Sequence, residues 1–277
     1  MIAISLAAVS ALIWGTADYC GGRATQRGSA LAVTVLSQIL GLPILLACVL
    51  LIPGLAYAGD FAWGVGAGAA GLLGIVLLYR GLATGAMAVV APTTAVTSAL
   101  VPMIVGLVTE TTPSAVALGG AACAVIAIAL VSLGPRRGGG HITAGIVGLA
   151  LAAGAMFGIF FALLAQTHDD SGMWPLVAVR LTSISLGLLI IVQRGVSLRL
   201  PRPIMAWVVF AGVGDIGANA LYLLAAHEGL LSVVAPIAAL YPVSTVLLAL
   251  AIDKERVRPV QIAGLGLAAT ALVLTAV

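Results

Sequence analysis

A single acid stands in the middle of an apolar run in the second half of the chain. Asp215 lies in the segment VVFAGVGDIGANALYLL, and Asn219 and Tyr222 follow it by four and seven residues. On a helix these side chains share one face. A charged side chain at the centre of a bilayer costs at least about 2.5 kcal/mol, so the acid is expected to face protein or water. Two interpretations remain open: a polar stripe that bonds a neighbouring helix, or a cavity wall with a protonatable acid.

Arg180 also lies within an apolar segment, PLVAVRLTSISLG. Its guanidinium either reaches the membrane interface along its own stem or provides a counter-charge for Asp215 or for an anionic group of a substrate. An unpaired carboxylate in a low dielectric favours its protonated form, whereas an ion pair favours the ionised form. Asp215 is the candidate for proton coupling. Asp18, one turn after Trp14, is interpreted as an acid near a helix end in water.

Other polar and aromatic side chains could line a cavity, although an aromatic belt at the membrane interface explains the aromatic ones equally well. The full set of candidate substrate-binding residues is Trp14, Gln38, Tyr79, Arg180, Asp215, Asn219, Tyr222 and Tyr241. No catalytic residue, metal ligand or cofactor is predicted. The sequence HEGLL lacks the second His of an HExxH motif, and there is no GxxxxGK[ST] phosphate-binding loop.

The composition indicates where these residues work. Of the 277 residues, 62% are hydrophobic and 8% are charged, against about 45–50% and about 25% in soluble domains. So few charges could not cover a water-soluble body of this size, which excludes a soluble enzyme. The high hydropathy excludes a disordered chain. The chain is long enough for about ten membrane helices of about 20 residues, joined by short loops.

Charges and clusters of proline and glycine divide the chain into ten continuously apolar segments. We therefore predict an all-α integral membrane protein with ten transmembrane helices. The first segment has no charged leader and is expected to be a retained span rather than a signal peptide. The predicted spans are 2–20, 31–52, 61–79, 86–108, 114–133, 143–166, 173–192, 204–225, 230–251 and 258–277.

The two halves of the chain share landmarks at an offset of 143 to 145 residues. The matched pairs are Trp14-Gly15 with Phe157-Gly158, Trp63 with Trp207, Gly68 with Gly212, Val89–Pro92 with Val233–Pro236, Glu110 with Glu255, and Gly119 with Gly264. Because five helices per half is an odd number, the second half must enter the membrane from the opposite side. We predict two inverted five-helix repeats, 1–133 and 143–277, joined by a linker at 134–142.

The basic residues test this topology. Eleven of the twelve Lys and Arg residues lie in the odd-numbered connections, and the even-numbered connections hold none. Cytoplasmic loops are the ones enriched in Lys and Arg. Both termini are therefore predicted to lie outside the cell.

These landmarks resemble the EamA family of the drug/metabolite transporter superfamily over the whole chain. The shared features are Trp14-Gly15 at the end of an Ala/Leu-rich first helix, Tyr79 and Tyr222 ending Gly-rich helices, AVVAP and SVVAP opening the fourth and ninth, and Glu110, Glu255, Gly119 and Gly264 beyond them. The resemblance implies ten helices around a central cavity and export of small metabolites or drugs without ATP. The chain departs from many relatives in the loop IPGLAYAGD, which has no basic residue, and in Ser37-Gln38, where relatives often carry Arg.

The first functional hypothesis is a secondary transporter that exports small metabolites such as amino acids or drugs by alternating access, with H+ as the candidate coupling ion. The alternatives are an intramembrane enzyme acting on lipid or peptide, and a channel-like membrane subunit. The expected partners are a small-molecule substrate and the lipid bilayer, with no nucleic acid. The chain is expected in a prokaryotic plasma membrane, as a monomer or homodimer.

Overall fold

The computed structural model describes residues 1–25, 27–82, 87–110, 113–132, 143–244, 247–248 and 258–276, and the side chains of 79–82, 87–92, 131–132 and 276 lie outside this description. The described chain is helical and holds ten helices, each on one of the predicted segments. They are α1 (Ile2–Thr25), α2 (Ala30–Leu51), α3 (Ala58–Leu82), α4 (Met87–Thr109), α5 (Ala115–Ser132), α6 (Ala144–Leu164), α7 (Trp174–Arg194), α8 (Met205–Glu228), α9 (Leu231–Ala238) and α10 (Pro259–Ala276). A turn at 239–240 separates α9 from further helical residues at 241–244.

Six of these helices are long and apolar enough to cross a membrane: α1, α2, α3, α6, α7 and α8. The described parts of the other four form shorter apolar helices. Helices suit this environment because they satisfy their backbone hydrogen bonds internally. The chain is therefore a multi-pass membrane protein.

Local sequence explains where α7 begins and ends. Pro175 occupies the first turn, where backbone N–H groups have no acceptor within the helix, so the N–H that proline lacks is not missed there. Gly195 ends the helix with φ 61°, a left-handed conformation that glycine adopts without strain. α7 therefore has a defined register, which fixes the depth of Arg180.

Helices of the first half pack mainly on helices of the second. The most extensive contacts between described residues join α1 with α8, α5 with α10, α4 with α6, and α3 with both α6 and α7. α2 packs on α8 and α7, α4 on α9, and α1 on α9. The core between them contains Trp14, Phe161 and Tyr222.

Small residues allow these helices to approach closely, as is usual in membranes. A Cβ atom at Gly68 of α3 would lie 2.6 Å from the carbonyl oxygen of Val179 in α7. Gly212 of α8 faces the backbone of Ser37 in α2 even more closely. The contact of α8 with α2 thus depends on the missing side chain of Gly212.

Replacing Gly212 with Ala should destabilise the protein by about 1–3 kcal/mol, because the new methyl group overpacks the contact with α2. Gly217, on the same helix, has no neighbouring atom within 4 Å of the place that a Cβ atom would occupy. Gly217→Ala is the matched control and should be neutral or slightly stabilising. Thermal unfolding of both variants in detergent checks the difference, and equal unfolding temperatures would contradict the packing argument.

Candidate functional site

An ion pair joins α7 to the middle of α8. Arg180 Nη2 lies 2.6 Å from Asp215 Oδ2. The arginine side chain is 6% exposed and the aspartate side chain is 35% exposed. Two opposite charges thus meet within the helical bundle, and one of them remains accessible. Of the two interpretations for Arg180, the structure supports the counter-charge for Asp215.

Two more side chains hold the Asp215 carboxylate. Trp14 Nε1 of α1 donates a hydrogen bond to Oδ1 at 3.2 Å. Asn219 Nδ2, one turn further along α8, donates to the same oxygen at 3.1 Å and to the backbone carbonyl of Asp215 at 2.6 Å. Three helices therefore orient one carboxylate.

The group also has unused bonding capacity. Arg180 Nε and Asn219 Oδ1 are buried and have no hydrogen-bond partner among the described residues. Buried polar atoms are nearly always satisfied by protein, water or a ligand. A free N–H donor and a free amide oxygen beside one carboxylate can bind a small molecule that carries both an acceptor and a donor.

An aromatic cluster adjoins the ion pair. The Trp14 ring centroid lies 5.2 Å from that of Phe161 and 5.9 Å from that of Tyr222, and the last two lie 4.9 Å apart. The fully buried Tyr222 donates its hydroxyl hydrogen to the carbonyl oxygen of Phe161 at 3.0 Å. Tyr222 thus lies beside the site and anchors α8 to α6. Phe161 was not predicted, because one phenylalanine in an apolar helix has no distinguishing pattern.

Gln38 belongs to a different contact. Its side-chain oxygen accepts a hydrogen bond from Ser183 Oγ at 2.7 Å, and both residues are buried. The bond joins α2 to α7, one turn from Arg180 on the same helix. In this conformation Gln38 supports the helix that carries the arginine.

Tyr241 and Asp18 lie close to one another near the ion pair. Tyr241 makes a side-chain hydrogen bond with Ser98 of α4 and is close to the charge of Asp18. Asp18 is exposed and close enough to Asp215 for the two carboxylates to repel. The expectation that Asp18 marks a helix end is wrong, since α1 continues to Thr25. The side chain of Tyr79 lies outside the described residues.

A second polar group, which we call the loop clamp, ties the α2–α3 loop to the α6–α7 loop and consists of Tyr57, Asp60, His168 and Asp170. The buried Asp60 accepts hydrogen bonds from the His168 backbone N–H at 3.3 Å and lies 2.9 Å from its ring Nδ1. The Tyr57 ring stacks on His168, with centroids 4.4 Å apart.

The Tyr57 hydroxyl donates to Asp170 Oδ2 at 2.6 Å, and this bond raises the pKa of Tyr57. Gly54 lies against the backbone of Gly172 and Ser171. The clamp thus joins two loops that contain no Lys or Arg. It was not predicted, since residues of two loops carry no signal of their pairing.

Asp60→Ala should lower the free energy of unfolding by about 1–3 kcal/mol, because the backbone N–H and the ring of His168 lose the acceptor that the buried Asp60 provides. Hydrogen exchange should also accelerate in residues 52–57 and 165–173. Asp169→Ala is the control, since Asp169 is exposed. Unchanged exchange in both loops would show that the clamp does not hold them.

A separate carboxylate fixes the start of α9. Glu110 Oε1 accepts a hydrogen bond from the Leu231 backbone N–H at 3.0 Å, and Oε2 lies 3.5 Å from the Ser232 nitrogen. Helix N-termini favour negative charge. Glu110 therefore anchors α9 to the end of α4. Its repeat counterpart Glu255 lies outside the described residues.

The comparisons with known proteins agree with the sequence resemblance. Residues 144–277 match the EamA-like transporter family, which confirms the family prediction. A solved crystal structure is similar over 99% of this chain and 98% of its own, with a TM-score of 0.78 and 17% sequence identity; at that identity it shows the fold alone. No curated protein matches. Over residues 144–277 the chain is therefore similar to the EamA-like transporters, and its apolar helices are those of a membrane protein.

Proposed function

We propose that this chain, whose residues 144–277 belong to the EamA-like transporter family, is a secondary transporter that exports small metabolites such as amino acids or drugs. The observation that carries the proposal is the ion pair between Arg180 and Asp215. It lies within the bundle, with an accessible carboxylate and unpaired polar atoms on Arg180 and Asn219. Ionisable residues are rare within membrane-spanning helices, and where they occur they usually mark the path of a substrate or an ion.

The packing pattern supports the inverted-repeat arrangement. If α1–α5 correspond to α6–α10, the contact of α1 with α8 corresponds to that of α6 with α3, and α2 with α8 corresponds to α7 with α3. The contacts of α4 with α9 and α5 with α10 correspond to themselves. We infer repeats at 1–133 and 143–277 around a central cavity. The linker 134–142 lies outside the described residues.

In this proposal the substrate competes for the ion pair. A carboxylate of the substrate would bind the Arg180 guanidinium, and an amino group would bind Asp215 and Asn219 Oδ1. The face of Trp14 offers an apolar contact beside them. Tyr79, Gln38, Tyr222 and Tyr241 remain candidates for lining the path in other conformations.

Alternating access requires that the two ends of the bundle open in turn. The loop clamp lies at the end without basic residues, which the positive-inside rule places outside the cell. We propose that the clamp closes the outer entrance and opens for release. The prokaryotic plasma membrane is the proposed location.

The proposed orientation predicts that fusions report both termini outside. A C-terminal alkaline phosphatase fusion should be active, and a C-terminal green fluorescent protein fusion should be dark in a bacterial host. A fusion at residue 138, in the odd-numbered connection, is the matched control and should show the reverse pattern. Cytoplasmic reporting from the C-terminus would contradict the orientation.

The function itself is tested in two steps. Untargeted comparison of metabolites in medium from cells with and without the protein identifies the exported compound. Counterflow of that compound into proteoliposomes, saturable and independent of ATP, then establishes a carrier. Non-saturable flux would indicate a channel, and no flux of any compound enriched in the medium would reject the transporter.

A further inference from the structure

Asp18 stands apart from the charges already described. It lies one turn after Trp14 on α1, so the two side chains share a face of the helix, and that face meets α8 through the bond from Trp14 to Asp215. Asp18 is exposed although α1 continues beyond it to Thr25. Its carboxylate is close to Asp215 and Tyr241. Asp18 therefore lies where α1 faces α8 and the segment after α9.

Among the described residues, few charged side chains lie near Asp18. Asp215 and Tyr241 approach it from α8 and from the segment after α9. The other helices that pack on α1, namely α2, α9 and α10, contain no Asp, Glu, His, Lys or Arg. On α1 itself, the Arg23 Nε donates to the Tyr19 hydroxyl at 3.2 Å and the guanidinium lies over that ring. Among the described residues, no ion pair or hydrogen bond joins the Asp18 carboxylate to a basic group.

The described site contains more acidic than basic side chains. Asp215 and Asp18 are its two acidic side chains, and Arg180 is its one basic side chain among the described residues, 2.6 Å from Asp215. The buried Arg180 Nε and Asn219 Oδ1 have no hydrogen-bond partner among the described residues, so the polar side chains of the site do not satisfy one another completely. Like charges in proximity favour uptake of a cation by one of them. Asp18 is the carboxylate without a counter-ion among the described residues.

We propose that Asp18, and not Asp215, is the residue on which this transporter binds and releases its proton. The inference rests on the proposed function and specifies its coupling residue. A hydronium ion that reaches the exposed Asp18 side chain transfers a proton to a carboxylate oxygen, an O–H bond forms, and water remains. The reverse transfer to water on the other side of the membrane completes the cycle, and nothing is oxidised or reduced. Asp215 is paired with Arg180 at 2.6 Å in this structure.

Trp14 provides a spectroscopic probe next to both acids. In a Trp63→Phe, Trp174→Phe, Trp207→Phe background it is the only tryptophan, and its emission should show one transition as the pH of the detergent-solubilised protein is changed. The Asp18→Asn variant should lose this transition. Asp215→Asn and the exposed-loop control Asp169→Asn should retain it. Retention of the transition in Asp18→Asn would overturn the proposal, as would its loss in Asp215→Asn alone.

A second variant covers the case in which Asp18→Asn does not fold, as judged by gel filtration and circular dichroism. Asp18→Glu keeps a titratable group and should displace the midpoint of the Trp14 transition, whereas Asp169→Glu should leave it in place. An undisplaced midpoint would reject Asp18 as the titrating group.

Transport separates this proposal from the proposed function. In proteoliposomes loaded with the exported compound, flux through the wild-type protein should respond to an imposed pH gradient, and flux through Asp18→Asn should lose that response. If Asp18 titrates but the protein transports no compound, the proposed function is contradicted while Asp18 remains the proton-binding residue. If flux through the wild-type and Asp18→Asn proteins responds equally to the pH gradient, Asp18 is not the proton-binding residue, while the proposed function stands.

Discussion

The Asp215→Asn variant should unfold at a lower temperature than the Arg180→Met variant, although each removes one member of the same ion pair. Removing Asp215 leaves a guanidinium that is 6% exposed without its counter-charge, whereas removing Arg180 leaves a carboxylate that is 35% exposed and can be hydrated. Breaking a buried ion pair from one side costs about 3–5 kcal/mol. We expect a loss in this range for Asp215→Asn and a smaller one for Arg180→Met.

The double variant completes the test. With Arg180→Met and Asp215→Asn together, neither charge of the pair remains, and much of the lost stability should return. The coupling free energy from the four proteins measures the pair directly. Thermal or chemical unfolding in one detergent provides the data. Additive losses in the double variant would show that the two side chains do not form the pair in solution.

Transport of a substrate with a carboxylate should fall strongly when Arg180 is changed. In Arg180→Lys the positive charge remains but the planar donors and the free Nε–H are lost, and in Arg180→Met the charge is lost as well. A hydrogen bond to a charged group contributes about 1.5–3 kcal/mol, or about 10- to 150-fold in affinity. We expect the half-saturation concentration of the exported compound to rise in this range for Arg180→Met, and less for Arg180→Lys.

Arg194 provides the matched control for this measurement. It is an exposed arginine at the end of the same helix, so Arg194→Met should leave the half-saturation concentration unchanged. Counterflow in proteoliposomes measures all three variants with the compound found in the medium. Equal kinetics for Arg180→Met and Arg194→Met would remove Arg180 from the substrate site.

The helices and the two candidate members of the central ion pair, though not their pairing, were predictable from the sequence for one physical reason. Lipid offers no hydrogen-bond partner to backbone N–H and C=O groups, so each long apolar run forms a helix. For a similar reason, an ionisable residue within such a run needs a partner. Asp215 and Arg180 are the two clear cases, and the structure pairs them. The i+4 position of Asn219 also places it correctly beside Asp215.

Contacts between distant helices were not predictable, because spacing along the chain does not encode which helices meet. Gln38 was a candidate for the site, but it pairs with Ser183. Asp18 was assigned to a helix end because the predicted first span stopped at residue 20, while α1 runs to Thr25. Polar residues extend this helix past the apolar pattern, so hydropathy alone placed its end too early.

The dominance of contacts between the two halves also bears on synthesis. A ribosome that has completed α5 has delivered five helices whose principal partners, α6, α8 and α10, are still untranslated. The early half must persist in the bilayer as loosely associated helices until the later half arrives. The two segments encoded as separate genes, divided within 134–142, should therefore be degraded when expressed singly and should accumulate when expressed together.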